Sequence, residues 1–150
     1  MKSCRIVTGP IDSGKTSYML ELIAKAPMAR GFISSKDRSG YSLVDIESKE
    51  ERRYLSINPI FEYRFGKWYI DYSSFDWAYK KLYHLDHGDV FLDEVGRLEL
   101  EGKGFSKALS MLKEREINLT LAIRDEFVQS IINAFSLDDA IVVSVPPIVP

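Results

Sequence analysis

Cysteine is nearly missing from this chain. The single Cys4 excludes an internal disulfide, and its place in the apolar run Cys4-Arg5-Ile6-Val7 reads as a small buried core residue. Histidine is almost as scarce. His84 and His87 share helical i, i+3 spacing, but with no Cys or third ligand nearby they read as solvated or as helix C-terminal charges. No apolar stretch approaches the roughly 20 residues of a membrane span. Ile6-Val7 gives way at once to Thr8-Gly9-Pro10, unlike the apolar core of a signal peptide. The expectation is a cytoplasmic protein with no membrane contact. Neither sign of charge dominates: the formal net charge is −2 with both signs spread along the chain, so no nucleic-acid partner is expected. Repeats, low-complexity tracts and linkers are absent too, which points to a single domain over residues 1–150.

What is present is ordinary globular material, 45% hydrophobic and 28% charged over 150 residues. A domain of this size buries roughly two-thirds of its unfolded surface. Residues 3–8 read as a buried strand ending at Gly9, followed by a helix from about Gly14 to Ala26. Tyr18, Met19, Leu22, Ile23 and Ala26 repeat at helical spacing there, and Pro27 stops the pattern. Residues 31–72 break into short β-like runs separated by turn signals such as Arg38-Ser39-Gly40 and Gly66-Lys67. They read as one or two inserted antiparallel hairpins.

Alternation then resumes. Ser73 or Ser74 can cap a helix carrying Phe75, Ala78, Leu82 and Leu85, ended by Gly88. Val90-Phe91-Leu92 is an apolar strand, Phe105 to Leu112 a helix, and Leu119–Ile123 a strand. A helix from Phe127 to Phe135 and a strand over Ile141–Val145 close the series. Buried strands alternating with helices predict an α/β fold of three layers with a mainly parallel sheet.

Gly9-Pro10-Ile11-Asp12-Ser13-Gly14-Lys15-Thr16 fits G-x-x-x-x-G-K-[ST] at every fixed position. Gly9 and Gly14 let the backbone turn tightly and bring its N–H groups against phosphate oxygens. The helix that begins inside the motif adds unsatisfied N–H groups and a positive dipole end. Lys15 offers a cation to the β- and γ-phosphates, the Thr16 hydroxyl is placed for Mg²⁺, and Ser17 completes the candidate binding set. A strand before the motif and a helix after it separate this loop from a chance glycine-rich turn.

Asp93-Glu94 follows Val90-Phe91-Leu92 as a Walker B segment requires. Asp93 is the candidate for the Mg²⁺ shell. Glu94 is the candidate to orient a water for in-line attack on the γ-phosphorus. Arg124 ends the strand Leu119–Ile123 and is the preferred extra cation for developing phosphoryl charge, ahead of Arg30, Arg38 and Arg97. Lys36, Arg38, Arg52 and Arg53 otherwise read as solvated hairpin residues. Phe61, Tyr63, Phe65, Trp68, Tyr69 and Tyr72 read as hairpin packing, with one of them free to stack on a base.

These motifs together resemble the thermophile-type, or cancer-related, nucleoside-triphosphatase family. Thr8 to Thr16 looks like its T-G-x-P-G-x-G-K-T-T loop, and Gly31-Phe32-Ile33-Ser34 like its G-F-x-T segment. Asp93-Glu94-Val95-Gly96-Arg97-Leu98-Glu99-Leu100 looks like D-E-I-G-x-M-E-L, and Leu121-Ala122-Ile123-Arg124 falls where the family has a strand ending in basic residues. Ile11-Asp12 stands where the family has Pro-Gly, Leu98 replaces its methionine, and Asp125 replaces a further basic residue. The resemblance implies a P-loop α/β fold. It also implies Mg²⁺-dependent hydrolysis of ATP, GTP and other nucleoside triphosphates with broad base selectivity. Two rivals stand beside that reading: a small-molecule or nucleotide kinase, and a non-catalytic nucleotide-binding module.

Overall fold

The apolar run near the start of the chain forms β1 (Ser3–Gly9) in a computed structural model that describes residues 1–11 and 13–145. Successive strand residues face opposite sides of a sheet. Here both sides are buried, since Ile6 belongs to one hydrophobic cluster and Val7 to a second. The same holds for β7 (His87–Val95), where Val90 and Leu92 join the first cluster and Phe91 the second. It holds again for β8 (Glu116–Arg124), with Leu119 and Leu121 on one side and Ala122 on the other. Strands buried on both faces are what parallel sheets require. β1 lies between β8 and β9 (Ile141–Ser144), parallel to both, and β7 runs parallel to β8.

β2 (Ala29–Lys36) joins this block by pairing parallel to β7, from Ala29↔Asp89 to Phe32↔Leu92. Gly31 permits the approach. Its φ is +115°, and a Cβ there would lie 1.9 Å from the Phe91 carbonyl oxygen. On its other edge β2 pairs antiparallel with β3 (Gly40–Asp45). β3 pairs with β4 (Glu51–Ser56), β4 with β6 (Trp68–Ile70), and β6 with β5 (Tyr63–Phe65), all antiparallel. The result is one nine-stranded sheet, β5-β6-β4-β3-β2-β7-β8-β1-β9.

This corrects one expectation. The sheet is not mainly parallel: four of its eight pairings are parallel and four antiparallel. Residues 31–72 supply the expected antiparallel hairpins, in the order β2-β3-β4-β6-β5. They extend the same sheet, because β2 is shared by both halves and the first cluster continues beneath it through Leu43, Tyr54, Leu55 and Ile70.

α1 (Lys15–Lys25) packs Met19 into the second cluster. α2 (Ser73–Leu82), α4 (Ser106–Leu112) and α5 (Val128–Phe135) pack Phe75, Leu109 and Ile131 into the first. A four-residue helix, α3 (Arg97–Leu100), follows β7. The helix expected to run to Gly88 stops at Leu82, because His87 and Gly88 already pair with Glu116 and Ile117 of β8. His84 and His87 therefore share no helix face, and His87 pairs with Asp86 at 2.6 Å on the surface. The start of α2 is held by Asp71, whose carboxylate accepts from the Ser73 N–H at 3.0 Å, and neither Ser73 nor Ser74 caps it. Among the described residues, no helix is long and apolar enough to cross a membrane.

Candidate active site

The phosphate loop leaves the carboxyl end of β1 and runs into α1. Its geometry rests on two glycines. A Cβ on Gly9 would sit 2.4 Å from Ser13 Oγ, and Gly14 adopts φ +87° immediately before the helix. A left-handed residue there suits glycine, whose missing Cβ removes the usual clash. Asp12 lies outside the described residues. Lys15 is buried, and its ammonium group donates to the carbonyls of Gly9 at 3.1 Å and Pro10 at 2.8 Å. Burial pulls its pKa below the usual lysine value, and the nearby charges of Glu94 and Asp93 pull it back up.

β7 ends beside this loop. Asp93 Oδ2 accepts from the Thr16 hydroxyl at 2.9 Å and from the Ser34 N–H at 3.0 Å, while Oδ1 accepts from the Glu94 N–H at 3.0 Å. The carboxyl is only 2% exposed. Burial first, and the Glu94 charge second, push its pKa up to about 6.

Glu94 is the neighbour in sequence and the opposite in environment. It is exposed, and its φ of +57° is left-handed, unusual for a residue with a Cβ. The β7–β8 register shifts between Leu92 and Val95, so a bulge sits at this point. Bulges re-aim side chains at strand ends. Here the bulge turns Glu94 away from the core while leaving Asp93 inside it. Arg124 is the register partner of Gly9, which puts it on the same sheet edge. Its guanidinium reaches Glu126 at 3.3 Å and lies 5.3 Å from the Phe127 ring centroid, whereas Asp125 accepts from the Thr8 hydroxyl at 2.7 Å.

A cavity of about 950 Å³ opens over these groups, lined by Lys15, Thr16, Asp93, Glu94 and Arg124. Ile11, Ser13, Gly14 and Ser17 line it as well, whereas Gly9 and Pro10 are not among its lining residues and serve the site by holding Lys15 through their carbonyls. Its far wall comes from the antiparallel half, through Lys36, Arg38, Tyr41, Phe65, Lys67 and Trp68. Lys36 and Arg38 line the cavity and remain exposed, as expected of solvated hairpin residues. Arg97 lines it too. Arg30 does not, since it pairs with Glu47 at 3.0 Å outside this cavity. Arg53 is committed to Asp37, and Arg52 stacks on Trp77 at 5.0 Å. Of the aromatic group, Phe65 and Trp68 reach the cavity, while Phe61, Tyr63, Tyr69 and Tyr72 are not in its wall.

A family model described as NTPase matches residues 4–146. The chain belongs to this NTPase family. No curated protein matches the sequence. Among solved structures, the fold is similar to the crystal structure of THEP1 from the hyperthermophile Aquifex aeolicus. That match has a TM-score of 0.72 at 20% identity and covers 96% of this chain and 90% of that one. It is also similar to the solution structure of a human cancer-related nucleoside triphosphatase, with a TM-score of 0.69 at 21% identity over 95% and 88% of the two chains. Both names fall within the family that the motifs resemble.

In this chain three further groups reach the site that motif spacing alone does not single out. Ser34 holds Asp93 through its main chain, and its hydroxyl lies 2.9 Å from the buried Tyr54 hydroxyl. Phe127 carries Arg124 on its face. Glu99, 3% exposed, accepts from the Gly96 N–H at 2.7 Å and the Phe105 N–H at 2.8 Å. A glutamate between the two leucines of the Asp93–Leu100 block was the visible signal for the last of these.

Proposed function

We propose that the protein is a Mg²⁺-dependent nucleoside-triphosphate phosphohydrolase, converting a nucleoside triphosphate to the nucleoside diphosphate and phosphate, with broad base selectivity and ATP and GTP among its substrates. The observation that carries this reading is the 2.9 Å contact between the Thr16 hydroxyl and the buried Asp93 carboxylate, with the exposed Glu94 one residue further on. One group has the oxygens for a hard cation, and the next faces the cavity where a water can stand.

The donor set suits Mg²⁺. This ion takes few protein ligands and completes its shell with waters and substrate phosphates. Among the described residues no cluster of three or more His, Cys, Asp or Glu competes for it. Thr16 and Asp93 would hold it, and when bound it would neutralise charge on the phosphate oxygens. The protein's own part begins with Lys15. Its ammonium group, now held by two loop carbonyls, turns to the phosphates when a triphosphate enters. The loop N–H groups and the start of α1 cradle the phosphate chain. Glu94 accepts a proton from, and aligns, the attacking water, while Arg124 stabilises charge on the transferring group.

Broad base selectivity is supported by what the far wall lacks and holds. Among the described residues, no Asn or Gln lines the cavity to read a base edge. Trp68 packs edge-on against Tyr41 at 5.6 Å with the Lys67 ammonium 5.0 Å from its ring centroid, offering a π-face that any base can use. A cytoplasmic setting belongs to the same proposal.

The test is phosphate release from ATP, GTP, CTP and UTP with and without Mg²⁺, in the wild type and in Glu94→Gln. The expected result is Mg²⁺-dependent release from all four, cut about 10²-fold or more by Glu94→Gln with triphosphate binding retained. Nucleoside diphosphate formed only on addition of a nucleoside acceptor, with the phosphoryl group on the acceptor and no free phosphate, would identify a kinase. Tight binding without release would identify a sensor.

A further inference from the structure

Glu99 is a buried carboxylate that none of the steps above uses. Both of its oxygens accept backbone N–H groups, and the two donors, Gly96 and Phe105, lie on either side of it in the chain. The side chain therefore ties together the two ends of the segment that carries α3. Gly104 makes room for it: its φ is +61°, and a Cβ there would lie 2.2 Å from Glu99 Oε2. Oxygens that accept two amides are best served by the ionised carboxylate, whose charge strengthens both bonds. Burial, working against those amides, raises the pKa to about 7.

What this clip fixes is the segment that follows the bulge. Gly96 stands two residues after Glu94, whose left-handed backbone must be held by its surroundings. Gly96 also abuts Phe127: a Cβ on it would come within 3.0 Å of the ring. Phe127 in turn lies under the Arg124 guanidinium. One carboxylate thus anchors the stretch of backbone that lies between the two groups assigned to the attacking water and the developing charge.

The geometry points to Glu99 as a positioning residue for hydrolysis, acting through the 94–96 backbone to hold Glu94 in its water-orienting place. The inference rests on the hydrolytic reading and goes one residue beyond it. A Gln at this position keeps the shape and one acceptor but presents an amide NH₂ to a backbone N–H, so one of the two ties is lost.

The experiment is a double-mutant cycle on the full chain with Glu99→Gln, Glu94→Gln and the two combined. It measures kcat, KM, affinity for a non-hydrolysable ATP analogue, and exchange of the Gly96 and Phe105 amide protons. Glu99→Gln is expected to lower kcat about tenfold or more, to leave KM and analogue affinity within about twofold, and to speed exchange at one or both amides. The double variant is expected to be no slower than Glu94→Gln alone, because groups that act as a unit are non-additive. Should Glu99→Gln fail to fold, Glu99→Asp, which keeps the charge but reaches less far, is read by the same cycle. A kcat within twofold of wild type, or losses that multiply in the double variant, overturns the positioning role. Unchanged turnover in Glu94→Gln is a different failure, since it removes the water-orienting role on which the inference rests.

Discussion

The two halves of the sheet build opposite ends of one cavity by different means. The parallel half brings a phosphate loop, Asp93, Glu94 and Arg124 to a single edge and holds Lys15 and Asp93 with buried and part-buried hydrogen bonds. The antiparallel half contributes cations and aromatic faces from strands and turns that are more exposed, with Lys36, Arg38, Lys67 and Trp68 at its rim. Chemistry on a phosphoryl group needs placement to within fractions of an ångström, so its groups belong where the backbone is buried on both sides. On the proposed function, holding any of several bases needs a tolerant surface, which a partly open aromatic wall would supply.

The contrast is sharpest at Lys15. Lys15→Ala removes the one buried ammonium group of the loop and should cost about 10²–10³-fold in turnover for every triphosphate alike. A comparison of kcat across four bases checks it, and a loss confined to one base would show that the halves are not separate in function. On the other side, Trp68→Ala should raise KM about tenfold while kcat stays within about threefold, since stacking is worth roughly 1–3 kcal/mol per base. A fall in kcat equal to that of Lys15→Ala would mean that the far wall also positions the reacting phosphate.

The smallest effect is on stability, and it follows from Glu99 in the parallel half. Its folded pKa of about 7 stands above the ordinary 4.5. The folded state then binds more protons than the unfolded chain between about pH 4.5 and 7, and stability falls as pH rises through that window. Asp93, pushed up to about 6, acts in the same direction when no metal is bound. Denaturant midpoints at pH 5, 6 and 7 should decline in the wild type and decline less in Glu99→Gln. A flat wild-type profile would show that both carboxylates titrate as exposed groups do. Asp37 and Asp45, held low by Arg53 and Lys81 respectively, oppose this trend only at more acid pH.

The phosphate loop, the Asp93-Glu94 pair and the order of helices and strands in the parallel half all follow from short-range pattern. Spacing of glycines, a Lys-Thr pair and apolar runs buried on both faces are local properties of the chain. How β2 binds the two halves into one sheet was decided only in three dimensions, because it depends on a backbone approach at Gly31 that no period in the sequence encodes. The end of α2 is similar: pairing of His87 and Gly88 with β8 outweighs a helical pattern that continues through Leu85. So too with the second carboxylates. Asp93 and Glu94 are adjacent letters, yet a bulge with one left-handed residue buries the first and exposes the second. Glu99 becomes meaningful only when Gly96 and Phe105 fold around it. A sequence states which groups are available and at what local spacing. Which of them lose their water, and which amides come to face them, depends on residues distant along the chain, and tertiary packing alone brings those together.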